Sequence, residues 1–191
     1  MRTTSPGQSA LLLLDVIDIL NERRILYAII GAFAASFYGM VRASLDADAV
    51  ISIDHAQQSL QLCDDFRLKG LLVEDRKGDH NDPIREVINV QDRFGNRVDL
   101  LIGIRGMAQE VFSRTQKTKF SGSSINIVSL EDLIALKIFA GSPKDLQDVI
   151  GVVNVSGKKI NLGSLQAITA RYGADCVERL QILLKENPLE K

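Results

Sequence analysis

Asp46 and Asp48 stand two residues apart in Asp46-Ala47-Asp48-Ala49-Val50-Ile51-Ser52-Ile53, a stretch that reads as a strand. Strand side chains alternate, so both carboxylates point to one face and the two alanines to the other. Carboxylates side by side repel each other unless a cation lies between them. Mg²⁺ meets that need, because it prefers oxygen ligands and commonly takes one or two carboxylates together with substrate phosphates. Alone, the pair also fits two solvated acids on an edge strand. Asp99 adds to it. That residue lies in Arg97-Val98-Asp99-Leu100-Leu101-Ile102, an otherwise apolar strand in which an acid needs a partner or a metal. If this strand pairs beside that of Asp46, three carboxylates meet and can hold two ions, one activating an acceptor hydroxyl and one steadying a triphosphate leaving group. The alternative is a salt bridge from Asp99 to Arg97 or Arg42.

Gly31 is the second feature. Arg24 to Ile30 reads as a buried strand that stops at Gly31, and Ala32 to Tyr38 reads as a short helix ended by Gly39. A strand that ends in glycine and turns straight into a helix leaves free backbone amides aimed at an anion, and glycine lets phosphates approach closely. The same arrangement also serves as a packing turn.

The elements that must position these residues follow from period and punctuation. Ser9 to Arg24 carries Leu12, Leu13, Val16, Ile17 and Leu20 on one helical face. His55 to Phe66 reads as a helix, Gly70 breaks the chain before Leu71-Leu72-Val73, and the charged stretch Asp75 to Pro83 reads as an exposed loop. Arg85 to Val90 and Asn96 to Ile102 flank Asp92-Arg93-Phe94-Gly95 as a hairpin, and Ser123 to Val128 is one more strand. Helices alone follow. Ser129-Leu130-Glu131-Asp132 is an N-cap signature, with Leu133, Leu136, Lys137 and Phe139 at helical spacing behind it. Gly141-Ser142-Pro143 closes that helix, and others run over Lys144 to Val153, Leu162 to Ala170 and Asp175 to Lys185. The expected class is α+β (α/β), with a mixed core over residues 1–128 and a helical region over 129–191 packed on it.

The remaining features set bounds. The chain has 191 residues, 46% apolar, with a formal net charge of -1, which argues against a generally basic protein coating nucleic acid. Cys63 and Cys176 lie far apart without metal-ligand spacing and read as buried reduced thiols of a cytoplasmic protein. The run Ala10 to Leu14 is too short to span a membrane. His55 and His80 lack a companion at zinc-ligand spacing, and neither Gly-x-Ser-x-Gly nor Gly-Lys-Ser/Thr occurs. Ser36 reads as packing within its helix. Arg105, Arg114, Lys117 and Lys119 read as a solvated face, with guidance of RNA as the alternative. Lys137, among Ile134, Leu136 and Ile138, either snorkels to solvent or points into the cleft. Asp145 and Asp148 share a helix face that reads as solvated, the alternative being that one of them pairs Lys137.

The order Tyr27-Ala28-Ile29-Ile30-Gly31-Ala32, then Tyr38-Gly39, Arg42-Ala43-Ser44, Asp46-Ala47-Asp48 and Arg97-Val98-Asp99 resembles the DNA polymerase β-type nucleotidyltransferase superfamily. The tail Leu130-Glu131-Asp132-Leu133-Ile134-Ala135-Leu136-Lys137, then Pro143-Lys144-Asp145-Leu146-Gln147-Asp148, is similar to AbiEii-type toxin nucleotidyltransferases and their uncharacterised relatives. The resemblance implies a mixed sheet flanked by helices with a C-terminal helical region. It also implies transfer of a nucleotidyl group from a nucleoside triphosphate to an acceptor hydroxyl, on RNA such as tRNA or on protein. By position, Asp46, Asp48 and Asp99 would hold Mg²⁺ (or Mn²⁺), and Asp99 would help activate the acceptor. Gly31 and Ala32 would offer amides to phosphates, Arg42 would support the carboxylates or a phosphate, and Lys137 would reach the triphosphate. The implied partner is the other half of a toxin-antitoxin pair. Ala32 departs from the pattern, where serine or glycine is usual, and removes a hydroxyl that could donate to phosphate. It supports the competing expectation of a module that has lost turnover and serves as an antitoxin or partner-binding protein.

Overall fold

In the computed structural model, which describes residues 1–188, the first half runs α1 (Ser9–Glu22), β1 (Tyr27–Ile30), α2 (Gly31–Phe37), β2 (Asp46–Ile51), α3 (Ala56–Leu68), β3 (Leu72–Lys77), β4 (Ile84–Gln91) and β5 (Arg97–Ile104). A 3-10 turn at Gln109–Phe112 leads to β6 (Gln116–Phe120) and β7 (Ser123–Ile127), and then to α4 (Leu130–Ala140), α5 (Pro143–Ser156), α6 (Leu162–Ala170) and α7 (Ala174–Glu186). The strands form one mixed sheet in the order β3-β4-β5-β2-β1-β7-β6. β2 pairs with β5 and β1 with β7 in parallel; the other neighbours are antiparallel. The expected mixed α/β class is the one observed. The last three residues of the expected helical region, 189–191, lie outside those described.

Alternation sets the two faces of the sheet. Val98, Leu100 and Ile102 of β5, Ile88 and Val90 of β4, and Ala47 and Ala49 of β2 are buried, with the apolar stripe Leu12, Leu13, Val16, Ile17 and Leu20 of α1 in the same core. Truncating a fully buried residue such as Leu100 to alanine costs about 2–5 kcal/mol. The intervening residues Arg97, Asp99 and Leu101 on β5 and Asp46 and Asp48 on β2 point to the opposite, partly open face. One face of these strands makes the core and the other carries the acids.

Local chemistry explains the joints. The hairpin between β4 and β5 turns on Asp92, whose buried carboxylate accepts from the backbone of Phe94 and Asn96 and from the Asn96 side chain. Ser129 and Ser142 cap α4 and α5, accepting from the amides of Asp132 and Asp145. Arg114 forks onto buried Asp132 at 2.6 and 2.8 Å. The Tyr38 hydroxyl donates to the Val128 carbonyl at 2.8 Å and so ties the end of α2 to the start of the helical region.

Two expectations are corrected. The segment read as a loop from Asp75 is strand through Lys77, because β3 is a sheet edge whose outward positions Glu74 and Arg76 are charged. β6, the other edge, hides in the same way behind Lys117 and Lys119. α1 stops at Glu22 rather than Arg24, which takes a positive φ of 56° to turn the chain toward β1.

Candidate active site

The parallel pairing of β2 with β5 sets Asp48 directly opposite Asp99 and Asp46 opposite Arg97. The antiparallel pairing of β4 places Asn89 opposite Asp99, and that of β3 places Glu74 opposite Asn89. A polar row, Glu74, Asn89, Asp99 and Asp48, therefore crosses four strands on one face. At its end, Asp48 faces Ile30, the last residue of β1, and the chain turns at once into α2. A bay of about 290 Å³ opens over this row, walled by Glu74, Arg76, Asn89, Arg97, Asp99 and Asp48 with Val87 and Leu101 beneath.

Gly31 makes the turn at φ +67°. A β-carbon there would collide with Oδ2 of Asp48 and lie 3.0 Å from its Cγ. Glycine is required both by the backbone conformation and by the carboxylate above it. Ala32 is buried in the first turn of α2.

Burial, and then the charges of Asp99 and Asp46, push the Asp48 carboxyl up to about 6, with Lys137 and Arg42 pulling the other way. Burial is the larger cause of that shift, and the neighbouring carboxylates add to it. Asp99 accepts from Asn89 Nδ2 at 2.5 Å and from Arg97 Nε and Nη2 at 3.1 and 3.0 Å. The salt bridge foreseen as the alternative for Asp99 is thus present, with Arg97 and not Arg42. Among the described residues no three acidic, histidine or cysteine side chains converge tightly enough to hold a metal ion.

The basic residues assigned to the site form a second cluster. Lys137, buried on α4, gives its Nζ to Asp148 at 2.6 Å and to Asp145 at 3.1 Å. Arg42, in the segment leading to Asp46, forks onto the same Asp148 at 2.8 and 3.0 Å. Asp148 is 1% exposed, so the reading of its helix face as solvated is corrected. Burial alone would raise its carboxyl, but hydrogen bonds from Arg42 and Lys137 outweigh that and hold it below its ordinary value. Lys137 does not snorkel. The basic surface expected around Arg105 to Lys119 is divided: Arg105 binds the carbonyls of His80, Asn81 and Asp82, and Arg114 binds Asp132.

Asn89 and Glu74 are the site residues that sequence reasoning missed. Their signal, a polar residue alternating with buried apolar ones, acquires meaning only from the register that aligns them with Asp99. A second cavity, about 390 Å³, reaches from Asp46 and Arg42 past Ser36 to Phe33, Phe37 and Phe120. It touches the acids only through Asp46.

The chain matches no protein-family model and no curated protein. Solved structures do resemble it. The antibiotic-resistance factor ANT(2″)-Ia aligns over 94% of this chain and 96% of its own, with TM-score 0.60 and 14% identity. An antigenic nucleotidyltransferase-like protein from Paracoccidioides brasiliensis aligns over 95% and 89%, with TM-score 0.53 and 18% identity. The lincosamide antibiotic adenylyltransferase LnuA aligns over 81% and 100%, with TM-score 0.51 and 14% identity. These likenesses show that the chain has the fold of nucleotidyltransferase-like proteins.

Proposed function

We propose that the chain is a metal-dependent nucleotidyltransferase: an acceptor hydroxyl loses its proton and bonds to the α-phosphorus of a nucleoside triphosphate, and the bond to the β-phosphate breaks to release pyrophosphate. The observation that carries this reading is the register of Asp48 against Asp99, with Asp46 on the same face two residues before. The donor set suits Mg²⁺ or Mn²⁺ without a closed three-acid cage: it is all oxygen, and such an ion takes one or two protein carboxylates and draws its other ligands from water and substrate phosphates. A bound divalent ion there would supply charge to the triphosphate and lower the acidity barrier of the acceptor hydroxyl.

The chain's own residues have separable tasks. Asp46 and Asp48 would hold the cation through their carboxylate oxygens from a rigid strand. Asp99, oriented by Asn89, faces the bay and is the base toward which an acceptor proton moves. Gly31 keeps the turn clear so that Asp48 and a phosphate can both approach. Lys137 and Arg42 add positive charge behind the acids from their shared anchor, Asp148.

The structural neighbours supply a pointer to the acceptor. ANT(2″)-Ia is known in complex with adenylyl-2″-tobramycin, and LnuA with lincomycin. A bay of about 290 Å³ suits a compact hydroxylated molecule, or a single nucleotide or side chain of an RNA or protein acceptor. A toxin-antitoxin role rests on the sequence resemblance of the tail alone. A second reading, a module without turnover that binds a partner, draws on Ala32 and on the engagement of both Lys137 and Arg42 with Asp148.

The test is incubation with each α-labelled nucleoside triphosphate and Mg²⁺ in the presence of total RNA, protein extract or hydroxylated antibiotics. Label transferred to one acceptor by wild type and not by Asp46→Asn or Asp99→Asn supports the reading. Transfer unaffected by either substitution would overturn it.

A further inference from the structure

Both carboxylate oxygens of Asp99 are engaged by a side chain of its own strand. Arg97, two residues earlier on the same face of β5, approaches Oδ1 with Nε and Oδ2 with Nη2, at 3.1 and 3.0 Å. Its Cα stands opposite that of Asp46, so this cation belongs to the acid set and not to its periphery. Among the described residues it is the one basic side chain ion-paired with Asp46, Asp48 or Asp99. A carboxylate held in such a fork must release part of it before it can ligate a metal.

We infer that Arg97 is an internal counter-cation that competes with divalent metal for Asp99. Asp46 and Asp48 are open to a first cation, while the Asp99 side fills only when Arg97 swings away. This arrangement keeps the acceptor-side carboxylate masked until metal and acceptor arrive, which limits idle attack by water. The benefit to catalysis rests on the nucleotidyltransferase reading; the competition itself is binding chemistry and does not.

Arg97 has room to move. Its side chain is 48% exposed and lines the open bay together with Glu74, which lies beyond Asn89 in the same cross-strand row and offers the displaced guanidinium another carboxylate. About half of the Arg97 side chain is in solvent, so water can take over its donors when a divalent ion displaces it from Asp99.

The test is Mn²⁺ titration of chelator-stripped protein without nucleotide, read by the electron paramagnetic resonance of the free aquo ion, with thermal unfolding to show that each variant is folded. Arg97→Gln is expected to bind Mn²⁺ roughly threefold to tenfold more tightly than wild type. The gain disappears in the Arg97→Gln/Asp99→Asn double variant. Arg76→Gln, which removes the same charge from the same bay, leaves affinity at the wild-type level. An Arg97→Gln protein no tighter than wild type, or an equal gain in Arg76→Gln, would overturn the inference. A retained Arg97→Gln gain in a protein that transfers no nucleotide would strike the enzyme reading alone.

Discussion

The carboxylate of Asp48 occupies the space that a side chain on Gly31 would need, with Cγ 3.0 Å from the position of a β-carbon there. The first turn after β1 and the central acid of β2 are therefore one fitted unit. Gly31→Ala forces a choice between a strained positive φ of the turn and displacement of the carboxylate. We expect a loss of about 1–3 kcal/mol in thermal or urea unfolding, together with weaker Mn²⁺ binding. Wild-type stability and metal affinity in Gly31→Ala would show that the contact has no consequence.

The raised carboxyl of Asp48 makes metal-free stability depend on pH. Its folded value of about 6 lies above the ordinary 3.8, so between these values the folded chain holds more protons than the unfolded one. Stability accordingly falls as pH rises through that window and stays lower above it. Asp48→Asn removes the penalty. In chelator at pH 7 it should be more stable than wild type by about 1–3 kcal/mol, with the difference closing below the ordinary carboxylate value. Urea unfolding at a series of pH values reads this directly; a less stable Asp48→Asn at pH 7 would contradict it.

Asp148 should be the costliest single charge to remove. It is the shared anion of buried Lys137 and half-buried Arg42; without it Arg42 loses its ion-pair partner and Lys137 keeps only Asp145, at 3.1 Å. Asp148→Asn is expected to cost about 3–5 kcal/mol in urea unfolding. Asp145→Asn, which removes only the longer 3.1 Å contact to Lys137, should cost clearly less. Equal losses would mean that the cluster is not organised around Asp148.

Ala32 tests how much the missing hydroxyl matters. Ala32→Ser restores a donor beside the turn at a position that is 4% exposed. Tighter nucleotide binding by a few-fold in calorimetry is the expected outcome, at the scale of one ordinary net hydrogen bond of about 0.5–1.5 kcal/mol. No change would place the phosphates elsewhere than this turn.

The strands bearing Asp46, Asp48 and Asp99 are legible in the sequence because each acid interrupts an apolar alternation. Their meeting is not, since the parallel pairing of β2 with β5 joins segments separated by α3 and the β3-β4 hairpin. No local period reports such a join. The edge strands β3 and β6 are obscured by the charges that protect them from pairing with other chains. Asp145 and Asp148 have the same spacing whether their helix face meets water or Lys137, so burial alone decides between those readings. Asn89 gains its role from register, and Arg97 from a fork that spacing permits without requiring.

A metal-nucleotide site built on Asp46, Asp48 and Asp99 must lose its ligand when the two acids of β2 are neutralised. Calorimetric titration of each nucleoside triphosphate with Mg²⁺ into wild type and the Asp46→Asn/Asp48→Asn variant tests it most directly. Saturable binding of at least one nucleotide to wild type, and of none to the variant, is expected. No binding of any nucleotide at millimolar concentration, or equal binding by both proteins, would contradict it.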